Sequence, residues 1–213
     1  MLNTPFSRLQ PFSLSRRLLL RLTVSAVVLA AVSRHVALAE DAGMNFVKSA
    51  ADHLLAVINQ PGAIQSKHAE LSRIIDTNVD VNEIAKFCLG RFWRSASPDL
   101  QKQYTELFHD VLVTNITGKI GDYQGARLVM GKAQMRDDTE IVSTSVERAG
   151  SPTNHIDWVL SRASGSPKVI DVVAEGTSLR LTQRQDYSAY LSRNNYSVQA
   201  LIDAMRQQMS TNG

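Results

Sequence analysis

The chain has 213 residues, of which 44% are hydrophobic, 6% are aromatic and one is cysteine, a composition typical of a globular protein and not of a disordered or fibrous one. Residues 1–39 hold five arginines and no acidic residue, so residues 40–213 carry 18 Lys and Arg against 20 Asp and Glu, a net charge of −2. The isoelectric point near 9.1 therefore comes from the first 39 residues, and the rest of the chain offers no basic field for nucleic acid.

Residues 1–39 have the pattern of an export signal. A basic stretch ends at Arg21, the apolar run 22–32 follows, and a small-x-small motif ends at Ala39. The apolar run is about half the length of roughly 20 residues that a membrane-spanning helix needs. The sequence predicts a signal peptide cleaved after Ala39 and one mature domain over residues 40–213. An arginine pair in the basic stretch leaves the general and the twin-arginine export routes both open.

Four amphipathic helices are predicted first, at about residues 44–59, 64–75, 80–89 and 98–123. Asp80 followed by Glu83 resembles a capping box, and Ser97 followed by Pro98 is typical of a helix start. The fourth helix would be nearly 40 Å long at about 1.5 Å per residue. Its apolar face is formed by Leu100, Tyr104, Phe108, Val111, Leu112, Ile116, Ile120 and Tyr123.

From residue 126 the hydrophobic period changes to two, which predicts four antiparallel strands joined by short turns, at about 126–135, 139–147, 154–161 and 168–179. The first strand does not sort cleanly into two faces. In the other three, one face is mainly apolar and comprises Val142, Thr144, Val146, Ile156, Trp158, Leu160, Ile170, Val172 and Ala174. Two helices close the chain, at about 186–193 and from residue 198. The predicted fold is α+β, with helices wrapped on one face of a small four-stranded antiparallel sheet.

A search for catalytic or metal-binding motifs finds little. The four histidines of the mature domain, His53, His68, His109 and His155, lack metal-ligand spacing. A nucleophile elbow and a phosphate-binding glycine loop are both missing, and the lone Cys88 is most simply a buried core thiol. The sequence therefore predicts no metal, no cofactor and no enzymatic activity.

Two carboxylates on adjacent predicted strands, Asp157 and Asp171, are the candidates for an acid/base pair. Their parity places them on the mixed face of the sheet, where solvated carboxylates are the simpler interpretation. An isomerase- or dehydratase-like enzyme with a cone-shaped fold stays open as an alternative, because such enzymes place a carboxylate in an apolar cavity.

Several segments together resemble the toluene-tolerance, or MlaC-type, family. Residues 89–98 read Leu-Gly-Arg-Phe-Trp-Arg-Ser-Ala-Ser-Pro, and the helix after them ends in Tyr-Gln-Gly at 123–125. The most specific segment is residues 168–179, a strand that runs into Glu-Gly-Thr-Ser-Leu and is followed by Arg184. The resemblance covers essentially the whole mature chain.

This resemblance implies a deep apolar cavity between the helices and the sheet, and a role as a soluble, monomeric periplasmic carrier of phospholipid. Members of the family move lipid between two partners and so maintain outer-membrane lipid asymmetry in Gram-negative bacteria. One partner is an inner-membrane ABC transporter complex with a membrane-anchored lipid-binding subunit, and the other is an outer-membrane lipoprotein and porin complex. A carrier of another lipid, such as a hopanoid, is the alternative within the same family.

Twelve residues are predicted to line the cavity, and the competing interpretation is that they form an ordinary packed core. The helix contributes Tyr104, Phe108, Leu112, Ile116 and Ile120, and the sheet contributes Val142, Val146, Trp158, Leu160, Ile170, Val172 and Ala174. In the family signature, we expect Arg184 to pair with Asp171 or Glu175 as a structural bridge, and binding of a lipid headgroup is the alternative role.

Overall fold

The computed structural model describes residues 42–212, so the predicted signal peptide lies outside the described residues. Within this part of the chain there are six α-helices. They are α1 (42–59), α2 (Ile64–Asn78), α3 (Val81–Leu89), α4 (Pro98–Lys119), α5 (Leu179–Arg193) and α6 (Val198–Asn212). Short 3-10 turns follow α3 at Gly90–Trp93 and α4 at Ile120–Tyr123. None of the described helices is long and apolar enough to cross a membrane.

Local capping residues begin two of the helices as predicted. The Asp80 carboxylate accepts a hydrogen bond from the backbone N–H of Glu83 at 3.0 Å, which starts α3. The Ser97 hydroxyl accepts one from the N–H of Leu100 at 3.3 Å, with Pro98 in the first turn of α4. Each side chain satisfies a backbone donor that has no partner inside the helix.

The sheet is antiparallel and has five strands in sequential order, not the four that were predicted. The strands are β1 (Arg127–Arg136), β2 (Thr139–Glu147), β3 (Asn154–Ser161), β4 (Lys168–Ala174) and β5 (Thr177–Ser178). The predicted fourth strand divides because Glu175 and Gly176 both have positive φ, 48° and 77°, and form a two-residue hairpin turn. Thr177 and Ser178 therefore turn back and pair with the end of β4.

The helix after β5 begins earlier than predicted. The Ser178 hydroxyl accepts a hydrogen bond from the N–H of Leu181 at 3.1 Å, so Ser178 is the N-cap of α5. The expected helix near residue 186 is the second half of this longer helix.

Two irregularities change which side chains share a face of the sheet. In β1 the register shifts between Met130 and Ala133, which explains why this strand did not sort into two faces. In β4, Val169 pairs with Leu160 across a second shift, so Ile170 is the extra residue. Val169, and not Ile170, joins the apolar cluster on the sheet.

Most of the buried apolar residues in the described part of the chain fall into three clusters. The helical cluster joins α3, α4, α5 and α6 around Tyr104, Phe108 and Leu191. The sheet cluster joins Val142, Leu160 and Val169 to the start of α1 at Val47. The α1–α2 cluster joins residues of α1 and α2 to the end of α4, and consists of Val57, Ile58, Leu71 and Ile120, with Ile116 packed against them.

Candidate functional site

The apolar face of the sheet is the first part of the candidate site. Val142 and Leu160 are fully buried there, and Trp158 and Val172 pack beside them. The indole N–H of Trp158 donates to the hydroxyl of Thr144 at 3.0 Å, so the one polar group of the tryptophan is satisfied within the sheet. Met44, Phe46 and Val47 of α1 cover this face. The face therefore presents hydrocarbon to the helices.

Buried side chains of the long helix α4 pack in other clusters than the one on this face. Tyr104 and Phe108 belong to the helical cluster, where each ring packs against Tyr187. The Tyr104 hydroxyl donates to the backbone oxygen of Ala85 at 3.0 Å, and burial raises the pKa of Tyr104 and of Tyr187. Tyr104 and Phe108, which were predicted to line the cavity, therefore pack α4 against the neighbouring helices.

The end of α4 contacts a different set of partners. Ile120 is buried in the α1–α2 cluster, Ile116 packs against that cluster, and Leu112 is half-buried. In the sheet, Val146 and Ala174 are half-buried, while Ile170 is buried at the irregularity of β4. Eight of the twelve predicted residues are thus divided among three apolar clusters, and the other four, Leu112, Val146, Ile170 and Ala174, belong to none of them. Their role as a lipid lining stays a prediction.

The Glu-Gly-Thr-Ser-Leu signature forms a hydrogen-bonded network around Asp171. One carboxylate oxygen accepts from the Ser178 hydroxyl at 2.6 Å, and the other accepts from the backbone N–H groups of Val172 and Arg180 at 2.8 and 3.1 Å. The Arg180 guanidinium lies 3.5 Å from the same carboxylate. Arg180 therefore forms the ion pair that was expected of Arg184. The reason is that α5 begins at Leu179, so Arg180 lies in the first turn of the helix, beside Asp171.

Arg184, the residue expected in that bridge, has another partner. Its guanidinium stacks on the ring of Phe87, 4.9 Å from the centroid, and Arg180 stacks on the same ring at 4.4 Å. Glu175 accepts a hydrogen bond from the backbone N–H of His155 across the sheet. The signature residues therefore join α3, α5 and the sheet, which is a structural role.

Asp171 is only 6% exposed, so the expectation of a solvated carboxylate is wrong for this residue. Its hydrogen bonds and Arg180 stabilise the charge in place of water. Asp157 is half-buried and accepts from the Ser143 hydroxyl at 2.6 Å. Each carboxylate is engaged by its own neighbours.

Two other candidate groups, His109 and Cys88, lie between packed elements. His109 lies 2.9 Å from Asp76 and 3.1 Å from Asp110, and so links α2 to α4. Across residues 42–212 no cluster of His, Cys, Asp and Glu could hold a metal ion. Cys88 is buried as predicted, and desolvation raises its pKa to about 12.

Comparisons with known proteins match this fold. A family model described as MlaC protein matches residues 48–207. A solved structure of a phospholipid-binding protein from Ralstonia solanacearum, in complex with a phospholipid, is similar in fold with a TM-score of 0.69 at 20% sequence identity. The match covers 79% of this chain and 97% of that protein.

Proposed function

The chain belongs to the MlaC family, and from this we propose that it is a phospholipid carrier of the periplasm. In this proposal it takes up the acyl chains of a lipid between its helices and the apolar face of its sheet. It then moves the lipid between an inner-membrane ABC transporter complex and an outer-membrane lipoprotein and porin complex, and so maintains outer-membrane lipid asymmetry. The family match over residues 48–207 is the observation that carries the proposal. The similar fold of a phospholipid-binding protein supports it.

Carrying a phospholipid through water requires a protein that shields a large apolar surface from the solvent. A two-chain lipid in water exposes roughly 30 methylenes, and each is worth about 0.8 kcal/mol on burial, so its transfer needs a shield worth on the order of 24 kcal/mol. The sheet cluster and the α1–α2 cluster offer such hydrocarbon at the beginning and at the end of α1.

The dimensions of the sheet also suit an acyl chain. From Glu140 to Val146, β2 extends about 20 Å at roughly 3.4 Å per residue. One leaflet of a bilayer has about 15 Å of hydrocarbon, half of the roughly 30 Å core. The apolar face along β2 is therefore long enough for an acyl chain that takes the place of the α1 side chains covering it.

The chemistry of the buried carboxylate supports binding over catalysis. A general base in an apolar cavity needs an oxygen free to take a proton from a substrate. Asp171 instead accepts three hydrogen bonds and lies beside Arg180. This arrangement favours a structural carboxylate.

Lipid loading and transfer test the proposal. Residues 40–213, purified without detergent, are extracted with organic solvent and the extract is analysed by mass spectrometry. The lipid-free protein is then incubated with liposomes that contain labelled phospholipid, isolated, and mixed with acceptor vesicles. We expect about one intact phospholipid per protein and transfer of label to the acceptors.

Three outcomes contradict the proposal. Lysolipid or free fatty acid formed in proportion to protein indicates an enzyme, and a hopanoid in the extract indicates a carrier of another lipid. No lipid in either experiment indicates that the three clusters are ordinary core. Asp157→Asn and Asp171→Asn are the variants to compare if a product forms.

A further inference from the structure

A strip of arginine and aromatic side chains runs over α3, the 3-10 turn after it and the beginning of α5. We call it the arginine–aromatic strip, and its members are Phe87, Arg91, Phe92, Arg180, Arg184 and Tyr196. In its first half, Arg180 and Arg184 both lie over the ring of Phe87. Contacts between a guanidinium and a ring face are attractive and hold the two arginines side by side.

The second half of the strip is held in the same way. The Arg91 guanidinium lies 4.9 Å from the ring centroid of Phe92 and 5.7 Å from that of Tyr196, and the two rings stack 5.8 Å apart. Gly90 joins the halves, because a Cβ added there would lie 3.3 Å from the Arg184 guanidinium and Arg91 is the next residue. The strip is therefore continuous from α5 to the turn after α3.

Most of the positive charge of the strip is not neutralised by the described part of the chain. Arg180 lies 3.5 Å from the buried carboxylate of Asp171. Arg91 and Arg184 are exposed, and among residues 42–212 no carboxylate forms an ion pair with either guanidinium. Residues 40–213 have a net charge of −2, so the strip is a local excess of positive charge on a weakly acidic chain.

Two further charged residues lie near the strip. Arg94 follows Arg91 by three residues in helical backbone, and side chains three residues apart in a 3-10 turn lie on the same side. Arg94 is exposed and forms no ion pair within residues 42–212. Glu83 precedes Phe87 by one turn of α3 and is exposed, so one carboxylate stands against three unpaired guanidinium groups.

Exposed apolar side chains adjoin these charges. Tyr196 is 55% exposed and Leu181 is 46% exposed. At 3.6 residues per turn, Leu181 lies about 60° from Arg184 around α5, whereas Leu179, also exposed, lies about 140° away. Arginine, leucine and tyrosine together are typical of surfaces that lie at a membrane–water interface.

We propose that the arginine–aromatic strip docks this protein on an anionic phospholipid membrane. Arg91, Arg94 and Arg184 lie against the lipid phosphates, to which guanidinium groups form charge-assisted hydrogen bonds. Leu181 and Tyr196 enter the interfacial layer. Because the chain as a whole is negatively charged, an anionic membrane repels its other surfaces and orients the strip toward the lipid.

The apolar side chains favour a membrane over an acidic protein as the partner. An acidic protein segment would pair with the arginines but would leave the exposed Leu181 beside it without an apolar contact. A membrane uses both kinds of side chain. The strip lies outside the sheet cluster and the α1–α2 cluster, so this proposal does not depend on the carriage of lipid.

Flotation with vesicles tests the proposal. Residues 40–213 are mixed with vesicles of phosphatidylcholine, or of phosphatidylcholine and phosphatidylglycerol, and the fraction of protein that floats with each is measured. We expect at least about ten-fold more protein on the vesicles that contain phosphatidylglycerol. High salt should abolish this binding, because it screens exposed charges.

Arginine variants locate the binding surface. Arg184→Gln and Arg94→Gln should each lower the partition coefficient onto the anionic vesicles about five-fold, the contribution of one basic residue near such a surface. Arg184 also packs on Phe87, whereas Arg94 is exposed and unpaired in the described part of the chain, so its variant separates binding from folding.

Arg193→Gln is the matched control for charge. It removes the same charge from α5, but Arg193 follows Arg184 by nine residues and so lies on the opposite side of the helix. This variant should bind the vesicles like the wild type.

Leucine variants test the apolar contribution. Leu181→Ser should lower the partition coefficient about five-fold, because part of a leucine side chain no longer leaves water. Leu179→Ser is the control, since Leu179 is 52% exposed at the start of the same helix but lies away from Arg184. It should bind like the wild type.

Several results overturn the proposal. They are equal binding to the two kinds of vesicle, an equal loss of binding in Arg193→Gln and Arg184→Gln, and an equal effect of the two leucine variants. Binding of polyglutamate without flotation indicates an acidic protein as the partner and also overturns it. A wild type that floats with the anionic vesicles but extracts no lipid contradicts the proposed function and supports the docking surface.

Discussion

Gly131 allows the closest approach between β1 and β2. A Cβ added at this position would lie 2.8 Å from the backbone oxygen of Ser143, and a backbone atom of a paired strand has little freedom to move. Gly131 lies at the register shift between Met130 and Ala133. Because of this shift, an even-numbered residue, Met130, and an odd-numbered residue, Ala133, both pack against the sheet cluster. The irregularity therefore depends on a residue without a side chain.

Gly131→Ala should lower the free energy of unfolding by about 1–3 kcal/mol, the usual cost of overpacking. Gly118→Ala is the control, because Gly118 lies in α4 with nothing within 4 Å of an added Cβ. That substitution should be stabilising by about 0.5 kcal/mol, since alanine loses less backbone entropy in a helix. Urea denaturation of both variants measures the difference, and equal effects would show that the strands do not approach so closely.

Cys88 should react slowly with iodoacetamide in the folded protein, since it is 2% exposed and only the thiolate is nucleophilic. Burial raises its pKa from 9.0 to about 12, so between these pH values the unfolded chain loses the thiol proton and the folded chain keeps it. The free energy of unfolding therefore falls as the pH rises from about 9 toward 12.

The Cys88→Ala variant isolates this effect. Its free energy of unfolding should fall less steeply with pH over the same range, although the buried Tyr104 and Tyr187 contribute to the remaining slope. Rapid alkylation of the native wild type would contradict the burial of Cys88. An identical dependence of the free energy of unfolding on pH in the two proteins would contradict its raised pKa.

Asp171→Asn should cost about 3–5 kcal/mol of stability, because it leaves the partly buried Arg180 without its counter-ion and disturbs three hydrogen bonds. Asp157→Asn should cost about 1 kcal/mol, since it alters one hydrogen bond to Ser143 at a half-buried site. Thermal unfolding measures both variants. If the two substitutions cost the same, the network around Asp171 is not the structural centre of the signature.

At the scale of elements, α4 serves two packing functions. Its first half, with Tyr104 and Phe108, packs against α3, α5 and α6. Its last turns, with Ile116, and the 3-10 turn after it, with Ile120, pack against α1 and α2. The sheet cluster is instead covered by α1. The apolar face of the sheet ends at Val146, and this residue lines a pocket of about 280 Å³.

Val146→Trp should reduce the amount of lipid that co-purifies, because the indole would fill the pocket of about 280 Å³ that Val146 lines together with Asp122, Tyr123 and Arg148. Val129→Trp is the matched control. Val129 is 45% exposed and pairs with Ser145 at the same end of the sheet, with its side chain on the other face. Val129→Trp should unfold within about 1 kcal/mol of the wild type, as most substitutions of exposed residues do. Val146 is half-buried, and the pocket that it lines leaves room for the indole, so the same limit is expected for Val146→Trp. Equal lipid content in the two variants would show that the pocket takes no part in lipid binding.

At the scale of the whole molecule, the predicted leader and the mature domain differ in net charge. Residues 1–39 carry the excess of arginine, and residues 40–213 have a net charge of −2. If the leader is removed after Ala39, the remaining chain has no excess of positive charge to attract nucleic acid.

The intact mass of the protein recovered from the periplasm tests this processing. We expect the mass of residues 40–213, with the amino terminus at Glu40, in a fraction obtained without detergent. Recovery of the full-length chain from membranes would contradict the carrier proposal, since a carrier must leave the bilayer.

The sequence by itself determined the local features of this protein. The caps Asp80 and Ser97 were predictable because each bonds to an N–H three residues away, and the strands of the hairpins were predictable from alternation and turn residues. Cys88 was predictable as a buried thiol, and the family resemblance was visible in contiguous motifs.

Tertiary structure alone decided which apolar surfaces meet. Periodicity indicates that a face is buried but not what covers it, so the division of α4 between two clusters could not be predicted from its stripe. The shift that brings Val169 into the sheet cluster in place of Ile170 depends on the partner strand. The contact of Arg148 with the backbone oxygen of Asp122, 26 residues away, forms only where the turn after α4 reaches the β2–β3 hairpin. Such long-range contacts are fixed by packing across the whole chain, and no short window of sequence contains them.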